Sequence, residues 1–67
     1  MAVLKNIELV GVSKEGFEKA ILEALEQAKK TVRNIKRIKV LSMSATVKDG
    51  EIELYRARVK ITFEVER

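Results

Sequence analysis

The sequence predicts an α+β fold in the order β-α-β-β, a three-stranded antiparallel sheet wrapped around one helix. Three observations predict it. Residues 3–10 interleave aliphatic and β-branched side chains with Lys5, Asn6 and Glu8, as a strand does. Between residues 14 and 33 the apolar positions recur at helical spacing. From Lys36 onward the period is two, broken once by Asp49-Gly50, the dipeptide of a two-residue type I′ hairpin turn.

The first strand runs from Val3 to Val10 and ends at Gly11. Ser13 stands where a helix N-cap belongs, and Glu15 follows at the positive end of the helix dipole. Gly16 replaces the Glu or Gln that would complete a capping box. Phe17, Ala20, Ile21, Ala24, Leu25, Ala28 and Val32 form one apolar stripe. The charges opposite read as a solvated face, with Glu15→Lys19 and Glu26→Lys30 in the favourable i,i+4 order. Lys29, Lys30 and Arg33 complement the helix C-terminus, and Asn34 closes it.

With Asp49 and Gly50 as the turn, an unbroken register follows. Lys48 faces Glu51, Val47 faces Ile52, Ala45 faces Leu54, and Met43 faces Arg56. Ser44 then faces Tyr55, Ser42 faces Ala57, Val40 faces Val59, Lys39 faces Lys60 and Ile38 faces Ile61. The last strand alternates most regularly, so it takes the centre of the sheet with the first strand on its free side.

Length sets a second expectation. A helix of about 20 residues spans roughly 30 Å, and a last strand reaching Glu66 spans about 50 Å. The hairpin tip therefore stands beyond the helix. In the unbroken register the apolar residues also change face. Ile38, Val40, Val59, Ile61 and Phe63 meet the helix, and Leu41, Met43, Ala45, Val47, Ile52 and Leu54 point away. A one-residue bulge would reunite the two sets. Without it, another subunit must cover the second face. A chain of 67 residues with no cysteine is also hard to stabilise alone, so self-association is expected.

Composition narrows the chemistry. Cysteine and histidine are absent, which excludes disulfides, thiolate zinc sites, thiol nucleophiles, Ser-His dyads and imidazole metal ligands. Ser42 and Ser44 have no histidine partner, and Phe17-Glu18 follows Gly16 where a phosphate loop needs Lys-Ser/Thr. The chain reads as a non-enzymatic single domain over residues 1–67. Its N-terminus is too quickly polar for a signal peptide and no apolar run reaches membrane length, so a cytoplasmic protein is expected.

The balance of 14 basic against 10 acidic residues, net +4, favours anionic partners. Arg37, Lys39, Arg56, Arg58 and Lys60 fall on one sheet face. Lys39 opposite Lys60 is destabilising unless an anion sits nearby. Glu8 or Glu64 could supply it, as could a phosphate-bearing ligand held between subunits. Nucleic acid is the less favoured partner, because Tyr55 and Phe63 fall on the helix-facing side and leave no stacking platform.

Three segments carry a resemblance to the dodecin family. Lys5-Asn6-Ile7-Glu8-Leu9-Val10-Gly11-Val12-Ser13 is similar to the family's opening strand, which ends in Gly-x-Ser. Ala20 and Ala24, continuing to Ala28-Lys29-Lys30-Thr31-Val32-Arg33-Asn34, resemble its helix. Tyr55-Arg56-Ala57-Arg58-Val59-Lys60-Ile61-Thr62-Phe63-Glu64-Val65 resembles its last strand. The resemblance implies twelve chains closed into a hollow shell of cubic symmetry. It implies flavins such as FMN or riboflavin, bound in pairs near the two-fold axes and stored without catalysis. For some bacterial members it implies coenzyme A.

At two positions the chain departs from that pattern. Arg37 occupies the place of the tryptophan on which the family stacks the flavin ring, and Arg56 that of the glutamine which hydrogen-bonds it. A guanidinium stacks and binds phosphate but offers no acceptor. The pattern is closer to a tryptophan-free subgroup described as calcium-binding, although the acidic residues here show no calcium-loop spacing. The ligand-binding candidates are Arg37, Lys39, Arg56 and Arg58. The cofactor and any metal stay open.

Overall fold

The computed structural model describes residues 2–65. It has the order β1 (Val3–Ser13), α1 (Phe17–Thr31), β2 (Ile35–Lys48) and β3 (Glu51–Val65). The sheet is antiparallel with β3 at its centre, in the order β1-β3-β2, as expected. Whether the last strand continues to Glu66 lies outside the described residues. Among those residues no helix is long and apolar enough to cross a membrane.

Both ends of the helix differ from the sequence reading. It begins at Phe17, not Lys14, and Gly16 caps it without a side-chain bond. The Ser13 hydroxyl instead accepts from the Glu15 N–H at 2.9 Å, a local turn that precedes the helix. Strand β1 accordingly continues through Gly11 to Ser13. At the other end Val32 is already extended. Asn34 takes the left-handed conformation at φ 59°, and its carbonyl accepts from the Glu64 N–H at 3.0 Å, which ties the helix exit to β3. On the helix surface Lys29 reaches Glu26 at 3.3 Å, in i,i+3 spacing, so Glu26 pairs with Lys29 and not with the expected Lys30.

Ala20, Ala24 and Ala28 are buried against Ala57, Val59 and Ile61 of β3. Ile7, Leu9, Ile21, Ile35 and Ile38 flank this cluster. Small side chains on the helix allow a close approach, and Gly11 makes it closer still: a Cβ there would lie 1.8 Å from the Ala20 carbonyl oxygen. The Phe17 ring meets Tyr55 edge-on, with centroids 4.9 Å apart, at the helix N-terminus.

The turn is as expected. Asp49 and Gly50 have φ 53° and 78°, both positive as a type I′ turn requires. Lys48 pairs with Glu51 and Val47 with Ile52. The unbroken register then fails. Register shifts lie between Thr46 and Val47, between Val40 and Ser42, and between Ile35 and Arg37. Thr46 faces Leu54, leaving Glu53 as an extra residue on β3; Leu41 is extra on β2. Between these two bulges the pairing is moved by one residue. Ala45 faces Tyr55 instead of Leu54, Met43 faces Ala57 instead of Arg56, Ser44 faces Arg56 instead of Tyr55, and Ser42 faces Arg58 instead of Ala57. Beyond Leu41 the expected pairs Val40–Val59, Lys39–Lys60 and Ile38–Ile61 return.

The two opposite apolar faces expected from the unbroken register are therefore largely corrected to one, while Leu54, opposite Thr46, stays on the face of Arg56 and Arg58. The bulges place Met43, Ala45, Val47 and Ile52 on the side that carries Ala57, Val59 and Ile61. That face outruns its cover. The helix has 15 residues and spans about 22 Å, whereas the molecule measures 52 Å along its long axis. Met43, Val47 and Ile52 near the tip are more than half exposed.

Candidate functional site

The face of the sheet turned away from the helix holds every ligand-binding candidate. Residues that pair across strands share a face, and alternate residues along a strand return to it. Arg37 pairs with Thr62, Lys39 with Lys60, Ser42 with Arg58 and Ser44 with Arg56. On the other side of β3, Asn6 pairs with Thr62, Glu8 with Lys60, Val10 with Arg58 and Val12 with Arg56. Arg37, Lys39, Arg56 and Arg58 thus stand together with Lys60 on one surface.

Two side-chain contacts join β3 to β1 on this surface. The Thr62 hydroxyl is buried and donates to Asn6 Oδ1 at 2.7 Å. Glu8 Oε1 accepts from both Nε and Nη2 of Arg58, at 3.2 and 2.9 Å. Both partners are about half exposed, so the pair orients the guanidinium more than it stabilises the fold. Glu64 turns instead to Lys36, at 3.7 Å. Of the two carboxylates expected to offset Lys39 and Lys60, one holds Arg58 and the other Lys36. Neither lysine has an ion pair among the described residues.

Tyr55 and Phe63 lie on the helix side, in register with buried Ala57, Val59 and Ile61. The chain's other aromatic ring, Phe17, is on the helix. The basic face therefore offers guanidinium planes and hydroxyls but no aromatic ring. A groove of about 550 Å³ lies between the end of β1 and the first half of the helix, lined by residues that include Val12, Lys14, Glu15, Lys19 and Glu23. None of the candidates lines it. Among the described residues no three carboxylates come together as a metal site.

A β-α-β-β unit whose three-stranded antiparallel sheet packs on one helix defines a small α+β class of protein. Residues 3–66 match the family described as Dodecin, and the chain belongs to the dodecin family. It is 36% identical to the dodecin of Thermus thermophilus over 64 residues, covering 96% of this chain and 93% of that protein. It is 28% identical to the calcium dodecin of Mycobacterium tuberculosis over 65 residues, covering 97% and 92%. The crystal structure of a T. thermophilus dodecin point mutant superposes with a TM-score of 0.96 at 34% identity, over all of both chains.

Proposed function

We propose that this chain is the subunit of a non-enzymatic, cytoplasmic homo-dodecameric shell. It would hold a small anionic ligand between subunits, a flavin such as FMN or riboflavin, or coenzyme A. Arg37, Lys39, Arg56 and Arg58 are the proposed contacts. The observation that carries this reading is the concentration of basic side chains on one sheet face, of which, among the described residues, Arg58 alone is engaged by a carboxylate of that face. Association has its own support, because the apolar hairpin extends past its helix and needs a cover from another copy.

The alternative is a flavin-free shell that is structural or binds calcium. Arg37 and Arg56 at the ring-binding positions favour it, and one relative is named calcium dodecin. A single chain supplies no carboxylate cluster among the described residues, so such a site would be assembled from several copies.

Native mass spectrometry of freshly purified protein, without added cofactor, tests both readings. Twelve subunits with an extra mass of FMN, riboflavin or coenzyme A supports ligand storage. Twelve subunits carrying calcium, or nothing, supports the alternative. A stable monomer overturns the shell.

A further inference from the structure

We propose that the sheet face turned away from the helix is a site for consecutive phosphates, centred on the Lys39–Lys60 pair and recognising its ligand by charge without ring stacking. This deepens the anion-binding reading above and rests on it. Lys39 and Lys60 are direct cross-strand partners, which sets their Cβ atoms about 5 Å apart. Like charges so placed repel, and each ammonium carries three donors on a flexible stem. A phosphate between them converts the repulsion into two charge-assisted hydrogen bonds. The carboxylate facing Lys60 from β1 is Glu8, and its Oε1 is already taken by two nitrogens of Arg58.

The neighbouring rungs extend the site in both directions. Arg37 stands one rung away, opposite Thr62. On the other side come Arg58 opposite Ser42 and then Arg56 opposite Ser44. Same-face residues along a strand repeat at ~6.6 Å, so Lys60, Arg58 and Arg56 form a cationic ladder roughly 13 Å long. A single phosphate uses one rung of it. Linked phosphates use several, and each added contact strengthens binding and its dependence on salt. No aromatic side chain of the chain is on this face to grip a ring.

The test is titration calorimetry on the assembled protein with sodium tripolyphosphate, pyrophosphate and orthophosphate. Tripolyphosphate is expected to bind at least ~10-fold more tightly than orthophosphate and to weaken steeply with added salt. Lys39→Ala and Lys60→Ala are each expected to lower its affinity about 10-fold, as loss of a charge-assisted contact does. Lys29→Ala, on the helix, is the unaffected control. Equal binding of all three phosphates, or affinity unmoved by both lysine substitutions in folded protein, overturns the proposal. So does an oligothymidylate, whose phosphates are not consecutive, that binds more tightly than tripolyphosphate.

Parallel titrations with FMN and riboflavin separate this proposal from the reading beneath it. FMN binding without tripolyphosphate binding removes the multi-phosphate site and keeps the small-anion reading. Riboflavin binding as tightly as FMN, with no tripolyphosphate binding, means recognition through the ring and also overturns the proposal. With coenzyme A titrated alongside, binding of none of the flavins, coenzyme A or tripolyphosphate overturns both.

Discussion

Gly11 and Ala20 meet backbone to backbone: a Cβ on Gly11 would come within 1.8 Å of the Ala20 carbonyl oxygen and 3.1 Å of the Ala24 nitrogen. The neighbouring atoms belong to a helix and cannot rotate away as a side chain would. Gly11→Ala is therefore expected to destabilise the chain by about 3 kcal/mol, at the upper end of overpacking costs, or to prevent folding. Chemical denaturation followed by circular dichroism measures it. A change below ~0.5 kcal/mol would mean that helix and strand separate more readily than the contact implies.

Ile61 is fully buried between Ile7 and Ile38, at the middle of the central strand. Ile61→Ala is expected to cost about 3 kcal/mol, combining lost transfer energy with the cavity left behind. The same denaturation experiment reads it as a lower midpoint at unchanged slope.

Gly50 has φ 78° at the hairpin tip, with open space around it. Gly50→Val meets no neighbour but forces a β-branched residue into the left-handed region, at a cost of about 1–2 kcal/mol. Asp49→Asn keeps a dipeptide suited to the same turn and is expected to stay within ~0.5 kcal/mol of wild type. Comparing the two by thermal denaturation separates backbone strain from side-chain loss.

Val47 and Ile52 pair across the tip and are both more than half exposed. The double substitution Val47→Lys with Ile52→Lys leaves the helix-backed core untouched. It is expected to retain the circular dichroism spectrum and to shift the mass seen by light scattering toward the monomer. Unchanged mass would show that the tip is not covered by another copy.

Glu8→Gln breaks the exposed Arg58 pair, so stability is expected to change by less than ~1 kcal/mol. Its effect belongs to the anion face, where one opposing charge is removed and Arg58 is released. Tripolyphosphate affinity is expected to rise, which the calorimetric titration measures directly.

The local elements were legible in the sequence because each rests on a local rule. Asp49-Gly50 announced the turn through its backbone preference, and the alanines at four-residue spacing announced the buried helix face. The shared face of Arg37, Lys39, Arg56, Arg58 and Lys60 was likewise visible, even though the register beneath it was partly misread. The change of apolar face allowed for a bulge, but its positions, Leu41 and Glu53, were not legible. Neither position carries a glycine or proline to mark it, and where an extra residue falls depends on pairing along the whole hairpin. The role of Gly11 was hidden for a similar reason. In sequence it looks like the end of a strand, and only the nearness of Ala20 shows it as a packing contact. Glu8 and Glu64 were both available to the lysines, and the choice of Arg58 and Lys36 depends on side-chain reach across the sheet.

The order of the sheet also constrains how the chain comes into being. The central strand is the last of the three in chain order, and β1 and β2 each pair with it and not with each other. On the ribosome, Val3–Ser13 must wait without a strand partner until residues 51–65 emerge. At roughly 5–20 residues per second that interval lasts a few seconds. Until then the nascent chain has only its helix to form, and the whole sheet closes in a late step as its final segment arrives.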